Sequence, residues 1–163
     1  TEAITRVPAR SLTELLHQQV DPSAKRDVIA QGIAASPGGA VGRIVFNSSV
    51  AQSYQSRGEP CILVRRETTP EDIRGMHSSV GILTERGGVT SRAAVIGRGM
   101  GVPCVVGASD LNVDSKTKKL RGAGRRKRSI AASKRSGSRR VPTKSGQLRQ
   151  IFCTRLRASM RLV

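Results

Sequence analysis

The clearest chemistry in the chain lies in Gly87, Gly88, Thr90, Ser91 and Arg92. Two glycines just ahead of a helix let the backbone come close to a bound group. A helix starting near Ser91 would present N–H groups at Ala93 and Ala94 without intrahelical partners, adding partial positive charge. The hydroxyls of Thr90 and Ser91 add hydrogen-bonding capacity. This set suits an oxyanion, above all a phosphoryl group. It equally suits a tight turn closed by an ordinary N-cap. Arg92 is protonated at any relevant pH, so it can bind an anion but has no lone pair with which to attack one.

The elements around that loop read as strand, helix and strand. Val80–Thr84 is an apolar run and a predicted strand, the helix runs from about Ser91 to Gly99, and Cys104–Val106 is the next strand. Upstream, Thr69-Pro-Glu-Asp72 is a strong helix start, with proline at the first helical position and acids near the positive end of the dipole. That helix is short and ends near Met76. Cys61–Arg65 reads as a buried strand, 48–56 as a short surface helix and Ala40–Phe46 as a β-branched strand. A further strand begins near Val28, and Ser36-Pro-Gly-Gly39 has the composition of a turn. Ser11–His17 carries a short amphipathic pattern in which Ser11 and Glu14 fit a capping box. Strands alternating with helices imply an α/β fold with at least part of the sheet parallel.

Composition separates the chain into two parts. The net charge is +18, yet all 11 acidic residues fall within 1–115 beside 12 Lys and Arg, while 116–163 holds 17 basic residues and no acid. Residues 121–140 are almost entirely Arg, Lys, Ser, Gly and Ala, too polar to offset their ordering entropy. The chain beyond 120 predicts a disordered or poorly packed basic tail without a strand pattern, although Leu148–Val163, loosely periodic through Ile151, Leu156, Met160 and Leu162, leaves room for a helix. Such a tail would bind polyanions nonspecifically, although its one aromatic, Phe152, gives little support for base stacking. Polyanion binding is the alternative reading of function. No run approaches the roughly 20 apolar residues that span a bilayer, and no signal-like leader is visible, so a cytoplasmic location is expected. Cys61, Cys104 and Cys153 are widely spaced, with His17 and His77 far from them, so neither a metal site nor a disulfide framework is expected.

Gly87-Gly-Val-Thr-Ser-Arg-Ala-Ala-Val-Ile-Gly-Arg-Gly-Met-Gly-Val-Pro-Cys-Val-Val-Gly107 resembles the phosphohistidine motif of the phosphoenolpyruvate-utilising enzymes. Within that family it most resembles the pyruvate, phosphate dikinases. Residues 11–27, Gly32-Ile-Ala-Ala-Ser-Pro-Gly-Gly-Ala-Val-Gly42 and Val64-Arg-Arg-Glu-Thr-Thr-Pro-Glu-Asp-Ile73 extend the similarity, which runs from about residue 1 to about 120. Phosphoenolpyruvate synthase and the sugar-transport phosphocarrier are the other possible parents within the family.

The resemblance implies a swivelling β/β/α phosphohistidine domain over 29–120, preceded by a linker at 1–28 and followed by a non-family tail at 121–163. It implies partner domains on either side, an ATP-grasp region and a pyruvate-binding barrel. ATP and magnesium would sit on those domains, with no cofactor or metal in this chain. A histidine on the swivelling domain would carry an ATP-derived phosphoryl group to pyruvate. At that position this chain has Arg92, with Gly87, Gly88, Thr90 and Ser91 as the phosphate loop. The Thr matching Thr90 is a regulatory phosphorylation site in plant members, so Thr90 is a regulatory candidate. The family pattern also has acidic and glycine-rich strands after 114 that close the domain. Their loss through a shifted reading frame, or in a diverged or truncated copy, would leave a sheet edge unpaired and lower stability.

Overall fold

The computed structural model describes residues 6–8, 11, 16–17, 27–122, 129–131, 150–154 and 160–162. Most of the expected capping box and helix at 11–17, and most of the basic tail, lie outside those residues.

Four strands form the parallel centre of the main sheet: β3 (Gly38–Val45), β4 (Cys61–Arg65), β5 (Gly81–Thr84) and β6 (Cys104–Val106). They pair in that order, with Arg43 opposite Cys61, Ile62 opposite Gly81 and Ile82 opposite Cys104. Each crossover is helical. Helix α1 (Ser48–Ser56) follows β3, a 3-10 turn at Pro70–Asp72 leads into α2 (Ile73–His77) after β4, and α3 (Arg92–Met100) follows β5. Asn47 starts α1 by accepting from the Ser49 N–H, as the capping preference for Asn predicts.

Strand alternation assigns the two faces of the sheet. Cys61 and Leu63 pack with Ala51, Met76, Ala93 and Ala94 in the core under the helices. Ile62 and Val64 point the other way and pack with Leu111, Val113 and Leu120. Those last residues belong to an antiparallel hairpin, β7 (Leu111–Asp114) and β8 (Lys119–Gly122), extended by β9 (Ser129–Ala131). The molecule is therefore mixed α/β, with helices on one face of the main sheet and a small second sheet on the other. Burial on both faces explains why β4 and β5 read as unbroken apolar runs rather than alternating ones.

Three features depart from the sequence reading. Ser36-Pro-Gly-Gly39 is not a turn between paired strands. Strand β2 (Ile33–Ser36) pairs antiparallel with β6, and Pro37 alone separates it from β3. With one residue between strands that are not neighbours in the sheet, the sheet has to curl so that their ends meet. Gly38 sits at φ +121°, and a Cβ there would stand 2.9 Å from the Pro103 ring, so the glycine serves a corner. Second, the chain after Leu111 is ordered through a hairpin. Its turn is fixed by Asp114, whose carboxylate accepts from the Thr117 hydroxyl at 2.6 Å and from the Thr117 and Lys116 N–H groups. Those hydrogen bonds, led by that of the Thr117 side chain, hold Asp114 below the usual carboxylate range.

Third, the stretch expected to lack strands contributes β9, β10 (Gln150–Thr154) and β11 (Met160–Leu162). Strand β10 pairs antiparallel with β3, and β11 pairs with both β10 and β1 (Asp27–Ala30). The open edge of β3 is thereby occupied rather than left unpaired. Backbone pairing needs no apolar pattern, only an edge that offers N–H and C=O groups.

Candidate functional site

The site loop leaves the carboxyl end of β5 and returns as α3. Gly87 has φ +111°, which an L side chain rarely adopts, and a Cβ on it would stand 3.0 Å from that of Ser91. Gly88 has open space around its missing side chain, with no heavy atom within 4 Å. The Ser91 N–H donates to the Gly88 carbonyl at 3.0 Å and closes the turn. Ser91 then caps the helix, its hydroxyl accepting from the Ala94 N–H at 3.4 Å. The expectation that the Ala94 N–H faces outward is corrected by that cap. The Arg92 and Ala93 N–H groups remain as first-turn donors with no intrahelical acceptor. At the far end Gly101, at φ +65°, stops the helix in the left-handed conformation that favours glycine.

Arg92 is the first residue of α3 and is exposed. One of its terminal guanidinium nitrogens donates to the Thr68 carbonyl at 3.4 Å. Thr68 lies in the loop after β4, which runs beside the site loop because Arg65 pairs with Thr84 and the Arg86 N–H donates to the Arg66 carbonyl. That neighbouring loop is anchored from within. The buried Asp72 carboxylate accepts from Arg65 Nε at 3.0 Å, from the Thr69 N–H at 3.0 Å and from the Thr69 hydroxyl at 3.1 Å. Arg65 also donates to the Phe46 carbonyl. On the other flank Gly107, at φ +65°, approaches so closely that a Cβ would meet the Gly87 carbonyl oxygen at 2.6 Å.

Helix α3 presses on the sheet through small residues. Ala93, Ala94 and Gly97 are buried, and a Cβ on Gly97 would stand 2.8 Å from that of Cys104. The Cys104 thiol donates to the Ala93 carbonyl. Burial pushes its pKa up to about 12, opposed by the positive charge of Arg98. Cys104 is thus a protonated core group one position behind the site. Burial likewise raises Cys61 to about 11.

Gly87, Gly88, Thr90, Ser91 and Arg92 are brought together at one corner of the sheet, with Thr90 exposed on the turn. The histidines are not there. His17 packs over Gly38 at the amino end of β3, and His77 is exposed at the end of α2, before β5 begins. Thr68, Thr84 and Arg98 join the site without having been singled out from the sequence. Arg98 reaches back along α3 to donate to the Val89 carbonyl at 2.7 Å. Only the apolar run ending in Thr84 carried a local signal, a hydroxyl at the last position of a buried strand. Among the described residues, no helix is long and apolar enough to cross a membrane.

Residues 57–122 match the family model described as PEP-utilising enzyme, mobile domain, and that segment belongs to this family. Within it the chain is similar to pyruvate, phosphate dikinase. It is 54% identical over 119 residues to the enzyme of that name from Rhizobium meliloti (strain 1021), covering 73% of this chain and 13% of the relative. The chloroplastic form from Mesembryanthemum crystallinum is 52% identical over 120 residues, covering 72% and 13%. The Clostridium symbiosum enzyme is 47% identical over 119 residues, covering 72% and 14%. The chain therefore spans about an eighth of the length of these relatives.

Proposed function

We propose that the chain is the phosphoryl-relay segment of a pyruvate, phosphate dikinase in which the relay step itself is lost. The observation that carries this reading is Arg92, which occupies the first helical position behind the glycine loop. A carrier there must attack phosphorus through a nitrogen lone pair, then release the group to an acceptor. A neutral imidazole has that lone pair near pH 7, whereas a guanidinium keeps its proton and offers donors only. The Gly87–Ser91 turn and the Ser91 cap support this reading, in which the Arg92 side chain is what stops the relay.

In this reading residues 1–28 act as a linker and 29–120 swivel between two partner domains, an ATP-grasp region and a pyruvate-binding barrel. Residues 121–163 are the basic tail. Rotation on linkers carries a site between distant centres without rebuilding it. ATP and magnesium bind on the partner domains and supply the activated phosphoryl group. Among the described residues no three His, Cys, Asp or Glu side chains cluster to hold a metal ion. Thr90, exposed on the turn beside Arg92, is the candidate for regulatory phosphorylation.

The test is a phosphotransfer assay with the ATP-grasp and barrel domains of a dikinase supplied separately. The parent chain should take up no acid-labile label from ATP, and Arg92→His should take it up. Equal labelling of the two chains at nitrogen overturns the reading.

A further inference from the structure

Glu85 is the first residue beyond β5 and leads into the site loop. Its backbone N–H donates to the Arg65 carbonyl at 3.1 Å, and that of Arg86 to the Arg66 carbonyl at 2.8 Å. Its side chain goes elsewhere. One carboxylate oxygen accepts from the Val113 N–H at 2.9 Å, across 28 positions of sequence, and lies 3.7 Å from Arg66 Nε. The Glu85 side chain is 15% exposed, that of Arg66 58%. An ion pair so long and open contributes little. The bond to Val113 is the stronger tie, because an ionised acceptor makes a hydrogen bond roughly twice as strong as a neutral one. Val113 is itself buried, so water is poorly placed to replace that acceptor.

The tie joins the two sheets at the root of the loop. Val113 lies in β7, which pairs with β8 and covers Ile62 and Val64 on the face away from the helices. Two backbone contacts join the loop to the segment between β6 and β7. The Ala108 N–H donates to the Thr84 carbonyl at 3.1 Å, and Gly107 lies close against the Gly87 carbonyl. Glu85 reaches past that segment to the hairpin itself. From Gly87 to Ser91 the chain is a closed turn, held by the Ser91 N–H on the Gly88 carbonyl. A shift at Glu85 therefore carries the turn with it.

We propose that Glu85 is a positioning residue for the loop. Through Val113 it fixes Gly87–Arg92 against the β7–β8 hairpin, so the hairpin sets where position 92 is presented. The inference goes beyond the relay reading and needs no nucleophile at 92. A failed phosphotransfer test leaves it standing, and its own failure leaves the relay reading untouched.

The experiment is amide hydrogen exchange of the full chain by NMR, under conditions where exchange reports local opening. The readouts are hydrogen-bonded amides: Val113 in the hairpin, Arg86 and Ser91 in the loop, and Ala51 in α1 as reference. Glu85→Ala should speed exchange at Val113, Arg86 and Ser91 about tenfold, equivalent to about 1.4 kcal/mol, and leave Ala51 unchanged. Glu85→Gln keeps an oxygen for the Val113 N–H but no charge, so about a threefold increase is expected at the same three amides. If Glu85→Ala does not fold, the near-isosteric Gln variant carries the same test. The proposal fails if Arg86 and Ser91 exchange at parental rates or if Val113 alone responds. It also fails if Ala51 accelerates as much as the loop, which is the mark of global destabilisation.

Discussion

Replacing Asp72 by alanine removes the acceptor that three donors share. Arg65 Nε, the Thr69 N–H and the Thr69 hydroxyl all converge on one oxygen of this carboxylate, at 3.0, 3.0 and 3.1 Å. The Asp72 side chain is 4% exposed and that of Arg65 25%. Truncating one partner of a fully buried pair costs about 3–5 kcal/mol, because the other charge is stranded. Arg65 is partly hydrated and keeps its bond to the Phe46 carbonyl, so the loss should be smaller, about 2–4 kcal/mol. For a domain of roughly 100 residues that lowers the melting temperature by about 10–20 °C. The comparison is Arg43→Ala, which breaks a 3.6 Å pair with Glu59 in which both side chains are well exposed. That pair should be worth less than about 1 kcal/mol. Urea unfolding of both variants reads the difference. If Asp72→Ala costs no more than Arg43→Ala, the Asp72 carboxylate does not anchor the loop that carries Thr68, and that argument is wrong.

The remaining expectations concern the packing around the site and the tail. Gly97→Val forces a side chain into the 2.8 Å approach to Cys104 and should cost about 1–3 kcal/mol in urea unfolding. Gly99→Ala, on the same helix with open space around it, should instead stabilise by about 0.5–1 kcal/mol. Cys61 and Cys104 should resist alkylation in the folded chain and react once it is unfolded, as read by peptide mapping. Their thiols titrate at about 11 and about 12 when folded, against an ordinary 9.0. Above pH 9 the unfolded chain therefore holds fewer protons at these sites. Their contribution to stability is complete below that point and falls as pH rises from 9 to about 11 for Cys61 and to about 12 for Cys104, which a series of melting curves would follow. Ile151→Pro removes a backbone donor from β10, which lies between β3 and β11, and should cost about 1–3 kcal/mol by the same unfolding measurement.

Much of the fold was legible where local chemistry and tertiary packing agree. Helix α1 and strands β4 and β6 fall on the residues read from the sequence, because capping residues and apolar runs mark their ends. Helix α3 begins where Ser91 caps it and stops where Gly101 must turn left-handed. The β7–β8 hairpin was hidden because its apolar residues, Leu111, Val113 and Leu120, are few and set among lysines and polar residues. They matter only because they cover Ile62 and Val64 on the far face of the sheet. The corner at Pro37 was misread because Pro-Gly-Gly composition signals a turn, while Gly38 is required here by its dihedral angle and by Pro103. At the site, residue types marked the glycine loop, while the reading of Arg92 came from the family resemblance. The contacts from Arg92 to Thr68 and Arg98 to Val89, and the unpaired Thr84 hydroxyl, arise from β4 lying beside β5 and from the length of the arginine side chains. No local pattern encodes them.

The central claim is that the loop is intact and that Arg92 alone removes the relay. Phosphorus NMR of the chain, after incubation with ATP, magnesium and a dikinase ATP-grasp domain, tests it most directly. A phosphoramidate resonance is expected on Arg92→His, lost on mild acidification, and none on the parent chain. A phosphoramidate on the parent, or its absence from an Arg92→His chain that folds normally, would contradict it.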